Sequence, residues 1–188
     1  MRSDVSSIIS RHDPARWSKT LAHRPKAELP FDPFQVPAKS ALLFDATVYI
    51  DQLKGELPRP IVDLVAARTI LHGAPALAEL AVTIGALDPA DRRTQATLTP
   101  IVEVLTRINP ARIIVPRHEI WLEAAVMAGI LARTQAIPKQ DRRKFLNDTL
   151  LFLLAAGASA VMISRNSRDL DLFLQMKPQV AVLLYDRG

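Results

Sequence analysis

The chain has 188 residues, 49% of them hydrophobic and 23% charged, which suits one folded domain with an appendage and excludes a wholly disordered polymer. It contains no cysteine, which excludes disulfides, zinc–thiolate and iron–sulfur sites and a thiol nucleophile, and leaves oxygen or imidazole to hold any metal. The formal net charge of +5 leans toward a polyanionic partner such as a nucleic acid.

Residues 1–39 form a segment apart. They hold Pro14, Pro25, Pro30, Pro33 and Pro37, and seven Lys/Arg against four Asp/Glu, so a net +3 sits in about a fifth of the chain. This is expected to be a basic arm preceding a domain at 40–188, either free or packed across it. Met1-Arg2-Ser3-Asp4 opens no apolar run of the signal-peptide kind, and the longest apolar stretch, Leu150 to Ile163, is too short to span a bilayer. A cytoplasmic location without membrane attachment is the expectation.

From residue 41, short apolar runs alternate with helical patterns. Ala41 to Phe44 reads as a buried strand ending at Asp45. Thr47 to Lys54 reads as a helix closed by Gly55, and Pro60 opens a helix through about Leu71. Residues 76–86 and 90–108 are helical, the latter stopped by Asn109-Pro110. Arg112 to Val115 is a strand, Arg117 to Gln135 a long helix, and Asn147 a candidate cap for a helix reaching Gly157. Ala160–Ile163 and Val180–Leu184 are strands flanking a helix near Arg168–Met176. The alternation predicts an α/β fold: a three-layer α/β/α sandwich around a parallel sheet.

Four acids lie in apolar or strand-end surroundings: Asp45, Glu79, Asp148 and Asp169. Each has an ordinary explanation. Asp45 can cap a helix, Glu79 can pair with an arginine, Asp148 can favour a helix dipole in a first turn, and Asp169 can start a helix. Together they can converge, because acids that follow strands of an open parallel sheet meet at its carboxyl edge. Two carboxylates about 5 Å apart repel by roughly 3 kcal/mol at an effective dielectric of 20, so a cluster of four calls for protonation or a divalent cation. Oxygen-only ligation favours Mg²⁺ or Mn²⁺ over zinc.

The runs Leu42 to Asp51, Ala76 to Ala81, Leu146 to Thr149 and Ile163 to Leu170 resemble, in order, the four motifs of PIN-domain nucleases, and in particular the VapC-type toxin ribonucleases of bacterial toxin–antitoxin systems. The resemblance spans about residues 41–186. It implies a PIN-like fold and a metal-dependent ribonuclease whose Asp45, Glu79, Asp148 and Asp169 hold Mg²⁺ or Mn²⁺, with Thr47 and Asn166 as supporting hydrogen-bond groups. An antitoxin chain and a homodimer are the implied partners. The pattern departs at His72 to Pro75, where the family often carries a hydroxyl, and at Leu170, where phenylalanine is frequent; Asp171 rivals Asp169 as the fourth acid.

RNA would need positive charge near the acids, and Arg142, Arg143, Arg165 and Arg168 are the candidates. His12, His23, His72 and His118 show no metal-ligand spacing and are expected in solvent. Two other readings remain. A phosphotransferase with Asp45 as nucleophile usually has a second acid two residues on, where Thr47 stands. A non-catalytic module of the same fold, binding RNA or protein, is the other.

Overall fold

The computed structural model describes residues 5–187. Five strands form one parallel sheet in the order β3-β2-β1-β4-β5: β1 Leu42–Phe44, β2 Ile70–Gly73, β3 Ile113–Ile114, β4 Val161–Ser164 and β5 Val182–Leu184. Leu43 stands opposite Leu71 on one side and Met162 on the other, so β1 is central. Its three residues are buried, as a parallel strand covered on both faces must be.

Around the sheet lie α2 Ala46–Lys54, α3 Arg59–Ala66, α4 Ala74–Ala86, α5 Thr94–Arg107, α6 His118–Thr134, α7 Arg142–Gly157 and α8 Ser167–Met176, preceded in the chain by α1 Val5–Arg11. The core is built from Leu42, Leu43, Leu150, Leu151, Phe152, Met162, Ile163 and Phe173, all essentially inaccessible to solvent. The expected three-layer α/β/α architecture is therefore present.

Three local expectations are corrected. The helix opened by Pro60 ends at Ala66, and Ile70–Gly73 is a strand; four residues of apolar run cannot be told from a helix end by periodicity. The helix expected from residue 90 begins at Thr94, because Asp88 and Asp91 accept from the backbone N–H groups of Ala90 and Arg93, turns that compete with helix. Helix α7 begins at Arg142 after a 3₁₀ turn at Lys139–Asp141, so Asn147 caps nothing and Asp148 lies in the second turn rather than the first.

Two glycines are required where they stand. Gly55 closes α2 at φ 67°, the left-handed region. At Gly73 a Cβ would stand 2.5 Å from Leu151 Cδ2, so its absence lets β2 run close beneath α7.

The arm lies on the domain. Ile8 of α1 is fully buried, His12 Nε2 bonds Glu123 Oε1 at 2.7 Å, and Arg133 Nη2 donates to the carbonyls of Pro14 and Trp17 at 3.0 and 2.9 Å. Further along, Gln175 Nε2 donates to Ala22 O at 3.0 Å, and Leu184 N of the outer strand β5 donates to Pro30 O at 2.7 Å. The expectation of solvent-exposed histidines fails at His12, which is buried against Glu123, and at His72, which is half-buried with Nδ1 2.5 Å from the Tyr49 hydroxyl. No helix among the described residues is long and apolar enough to cross a membrane.

Candidate functional site: four carboxylates at the strand ends

Asp45 follows β1 directly. Its Oδ1 accepts from Ala46 N at 2.7 Å, capping α2, and its Oδ2 accepts from Thr47 Oγ1 at 2.8 Å and from Ser164 Oγ at 2.6 Å. Ser164 ends the neighbouring strand β4, and the Asp45 N–H donates to Ile163 O at 3.1 Å, so the parallel pairing itself sets Asp45 beside Ser164. Only 4% of Asp45 is exposed.

Asn166 links the other acids. Its backbone N donates to Ser164 Oγ at 2.9 Å, its Oδ1 accepts from Asp169 N at 3.3 Å to cap α8, and its Nδ2 donates to Asp148 Oδ2 at 3.1 Å and Asp169 Oδ2 at 2.8 Å. Arg165 N in turn donates to Thr47 Oγ1 at 3.2 Å. One network therefore runs from Asp45 through Ser164 and Asn166 to Asp148 and Asp169.

Asp148, on α7, is 5% exposed. Burial, then the charges of Asp45, Asp169 and Glu79, push its carboxyl up to about 8, against a smaller opposing pull from Lys144. Glu79 of α4 is likewise raised, by burial and by Asp45, with Lys144 again opposing. Its Oε2 is enclosed without a hydrogen-bond partner. The four acids, Asp45 at the cap of α2 and the others on α4, α7 and α8, thus share one electrostatic neighbourhood.

The two other deeply buried acids are neutralised by the chain itself. Asp171 bonds Arg24 Nε at 2.6 Å, Arg24 N at 2.9 Å, His23 Nδ1 at 3.2 Å and Gln175 Nε2 at 3.2 Å, which holds its carboxyl low despite burial. Of the two candidates for the fourth acid, Asp169 is the one on the Asn166 network. Asp51, absent from the sequence-based candidates, accepts from Arg165 Nε, Tyr185 Oη and Arg187; burial would raise it, but these donors hold it below the usual range.

The arginines divide. Arg165 is committed to Asp51, and Arg142 Nε donates to Ile137 O at 3.2 Å. Arg143 is exposed, and Arg168 lines a cleft beside Asp169. Lys144 is the cation that opposes the raised acids. Its place one helical turn before Asp148 is the sequence signal for it, since residues i and i+4 share a face. Ser164 escapes sequence reasoning altogether; a lone serine ending an apolar strand carries no signal until the register sets it beside Asp45.

All candidate donors are carboxylate oxygens, one of them a buried orphan, and burial and the neighbouring acids raise Glu79 and Asp148. That donor set fits a hard divalent cation, which would relieve both conditions. The carboxylates surround a common region without meeting at a single point: among the described residues no three acidic or imidazole side chains form a ready-made ligand set.

A parallel sheet ordered β3-β2-β1-β4-β5 with helices on both faces is the PIN-like α/β/α fold. Solved structures share it. The chain superposes on VapBC2 from Rickettsia felis, bound to a DNA fragment from their promoter, with a TM-score of 0.54 and 14% identity over 78% of this chain and 99% of that one. For VapBC-1 from nontypeable Haemophilus influenzae the values are 0.51 and 18%, over 77% and 97%, and for FitAcB from Neisseria gonorrhoeae 0.51 and 17%, over 76% and 96%. No protein-family model and no curated protein matches the chain.

Proposed function

We propose that this protein is a metal-dependent ribonuclease that hydrolyses RNA phosphodiesters with Mg²⁺ or Mn²⁺ held by Asp45, Glu79, Asp148 and Asp169. The observation that carries the reading is the shared network in which Asn166 joins Asp148 to Asp169 while Ser164 joins the same loop to Asp45. A structural acid pairs with a cation, as Asp51 and Asp171 do here; these four are left to repel one another.

When bound, such an ion lowers the pKa of a water and stabilises charge on the leaving oxygen. The chain's own residues fix the donors. Thr47 and Ser164 hold Asp45 in one orientation, and Asn166 holds Asp148 and Asp169. Lys144 and Arg168 supply positive charge beside the acids, where a polyanionic strand must approach.

From the VapC-type resemblance we infer a toxin acting in the cytoplasm, restrained by an antitoxin chain and assembled as a homodimer; the VapBC and FitAcB structural neighbours support the fold this requires. The test is cleavage of single-stranded RNA with Mg²⁺, Mn²⁺ or EDTA by wild type and Asp45→Asn. Activity that needs the ion and falls at least about a hundredfold in the variant is expected. Equal activity in both removes the assignment, and RNA binding without cleavage would leave a non-catalytic module.

A further inference from the structure

A cleft beside Asp169 is bordered on one side by His23 of the N-terminal arm. It measures about 420 Å³, inside the range of about 300–1,000 Å³ usual for ligand sites, and is lined by Lys144, Phe145, Asn166, Arg168 and Asp169 of the domain together with His23 of the arm. Asn166 and Asp169 belong to the carboxylate network, so the cleft opens directly from it. A second cleft of about 280 Å³ shares His23 and Arg168 with the first and continues onto Arg24, Lys26 and Phe31 of the arm. Lys26 Nζ lies 4.8 Å from the centre of the Phe31 ring.

That border is fixed. Asp171, 1% exposed, takes His23 Nδ1 and both the backbone and side chain of Arg24, and Gln175 clasps Ala22 O and Asp171 together. His23 keeps 44% of its side chain exposed while one ring nitrogen is anchored. A flat ring held in place beside a cleft that carries Lys144 and Arg168 as well as Asp141 and Asp169 is a stacking platform of the kind that single-stranded nucleic acids use, and its prior anchoring lowers the entropy lost on binding.

We propose that the arm is part of the substrate surface: His23 stacks the base next to the scissile phosphate of a single-stranded RNA, while Lys144 and Arg168 hold the flanking backbone. This rests on the ribonuclease reading and adds to it a substrate-binding residue outside the nuclease domain. The strand leaves the acids over His23 toward the second cleft, where Arg24 is bonded to Asp171 and Lys26 to Asp186.

The test is fluorescence anisotropy in EDTA, so that no chemistry occurs, using a labelled single-stranded RNA of about ten nucleotides and a matched strand with abasic positions. The full chain is compared with His23→Ala, His23→Phe, Lys144→Ala and the remote surface control Arg59→Ala. A stacked base contributes about 1–3 kcal/mol, so His23→Ala should weaken the intact strand about fivefold or more. It should leave the abasic strand within about twofold, and His23→Phe, which keeps a flat ring, should restore binding. Lys144→Ala should weaken both strands.

Equal binding by wild type and His23→Ala overturns the proposal alone, as does a matched loss on both strands, which marks a structural role. If the wild type binds no RNA in EDTA yet cleaves it with Mg²⁺ or Mn²⁺, the proposal fails and the ribonuclease reading stands; if it neither binds nor cleaves, both fail.

Discussion

Replacing Asp148 by asparagine should make this protein more stable at neutral pH and indifferent to the change in acid. Its carboxyl, ordinarily at 3.8, is pushed up to about 8 in the folded chain by burial and by Asp45, Asp169 and Glu79. An acid whose folded pKa is raised exacts nothing below its unfolded value. It then destabilises the fold progressively as pH rises, by up to about 1.4 kcal/mol per unit, and levels off above the folded value. Between 3.8 and pH 7 the window is about three units wide, or about 4 kcal/mol for a rigid site, and about 2 kcal/mol once the neighbouring acids share the proton and relax. Asparagine keeps the shape, still accepts from Asn166 Nδ2 through its carbonyl, and never ionises. The gain of about 2–4 kcal/mol at pH 7 corresponds to about 5–12 °C in Tm for a chain of this size. Thermal melts of both proteins in EDTA from pH 4 to 8.5 should diverge steadily with pH while nuclease activity is lost in the variant. A constant offset across that range, or a variant less stable at pH 7, would refute the account of Asp148 as an unneutralised acid.

Two further outcomes concern the structural acids. Glu123 is held down to about 2 by its hydrogen bond to His12, against burial, with Lys177 assisting. Its stabilisation is full above about 4.5 and lost as pH falls toward 2, a window of order 3 kcal/mol. Glu123→Gln should therefore flatten the acid limb of stability in urea titrations, and an unchanged limb would contradict the pairing. Asp51→Asn removes a fully buried charge facing Arg165 and Arg187 and should cost about 3 kcal/mol in chemical denaturation, a loss under about 1 kcal/mol being the contrary result.

Asp45 and Asp169 are legible in the sequence because each follows a short apolar run that reads as a buried strand, and acids that follow strands of a parallel sheet meet at one edge. Glu79 is legible as a charge inside an otherwise apolar helix. The place of Asp148 in its helix is not: the turn beginning at Arg142 is so basic that its apolar face starts only at Phe145, which moves the apparent cap to Asn147, more than a turn too late. Long-range pairing leaves no trace at all. His12 with Glu123, Arg24 with Asp171 and Arg187 with Asp51 are separated by more than a hundred residues each, and no local pattern announces a partner at that distance.

The bond from Leu184 to Pro30 bears on how the molecule keeps to itself. A sheet's outermost strand is an open invitation to another chain's backbone, and β5 is such a margin. Here a stretch bearing Pro30 and Pro33 lies alongside it, accepts one of its free amides, and, lacking amide hydrogens at both prolines, offers the next comer little to extend. The same segment that borders the cleft thus serves as a selvedge, and trimming it away would expose a raw seam along which copies could fuse.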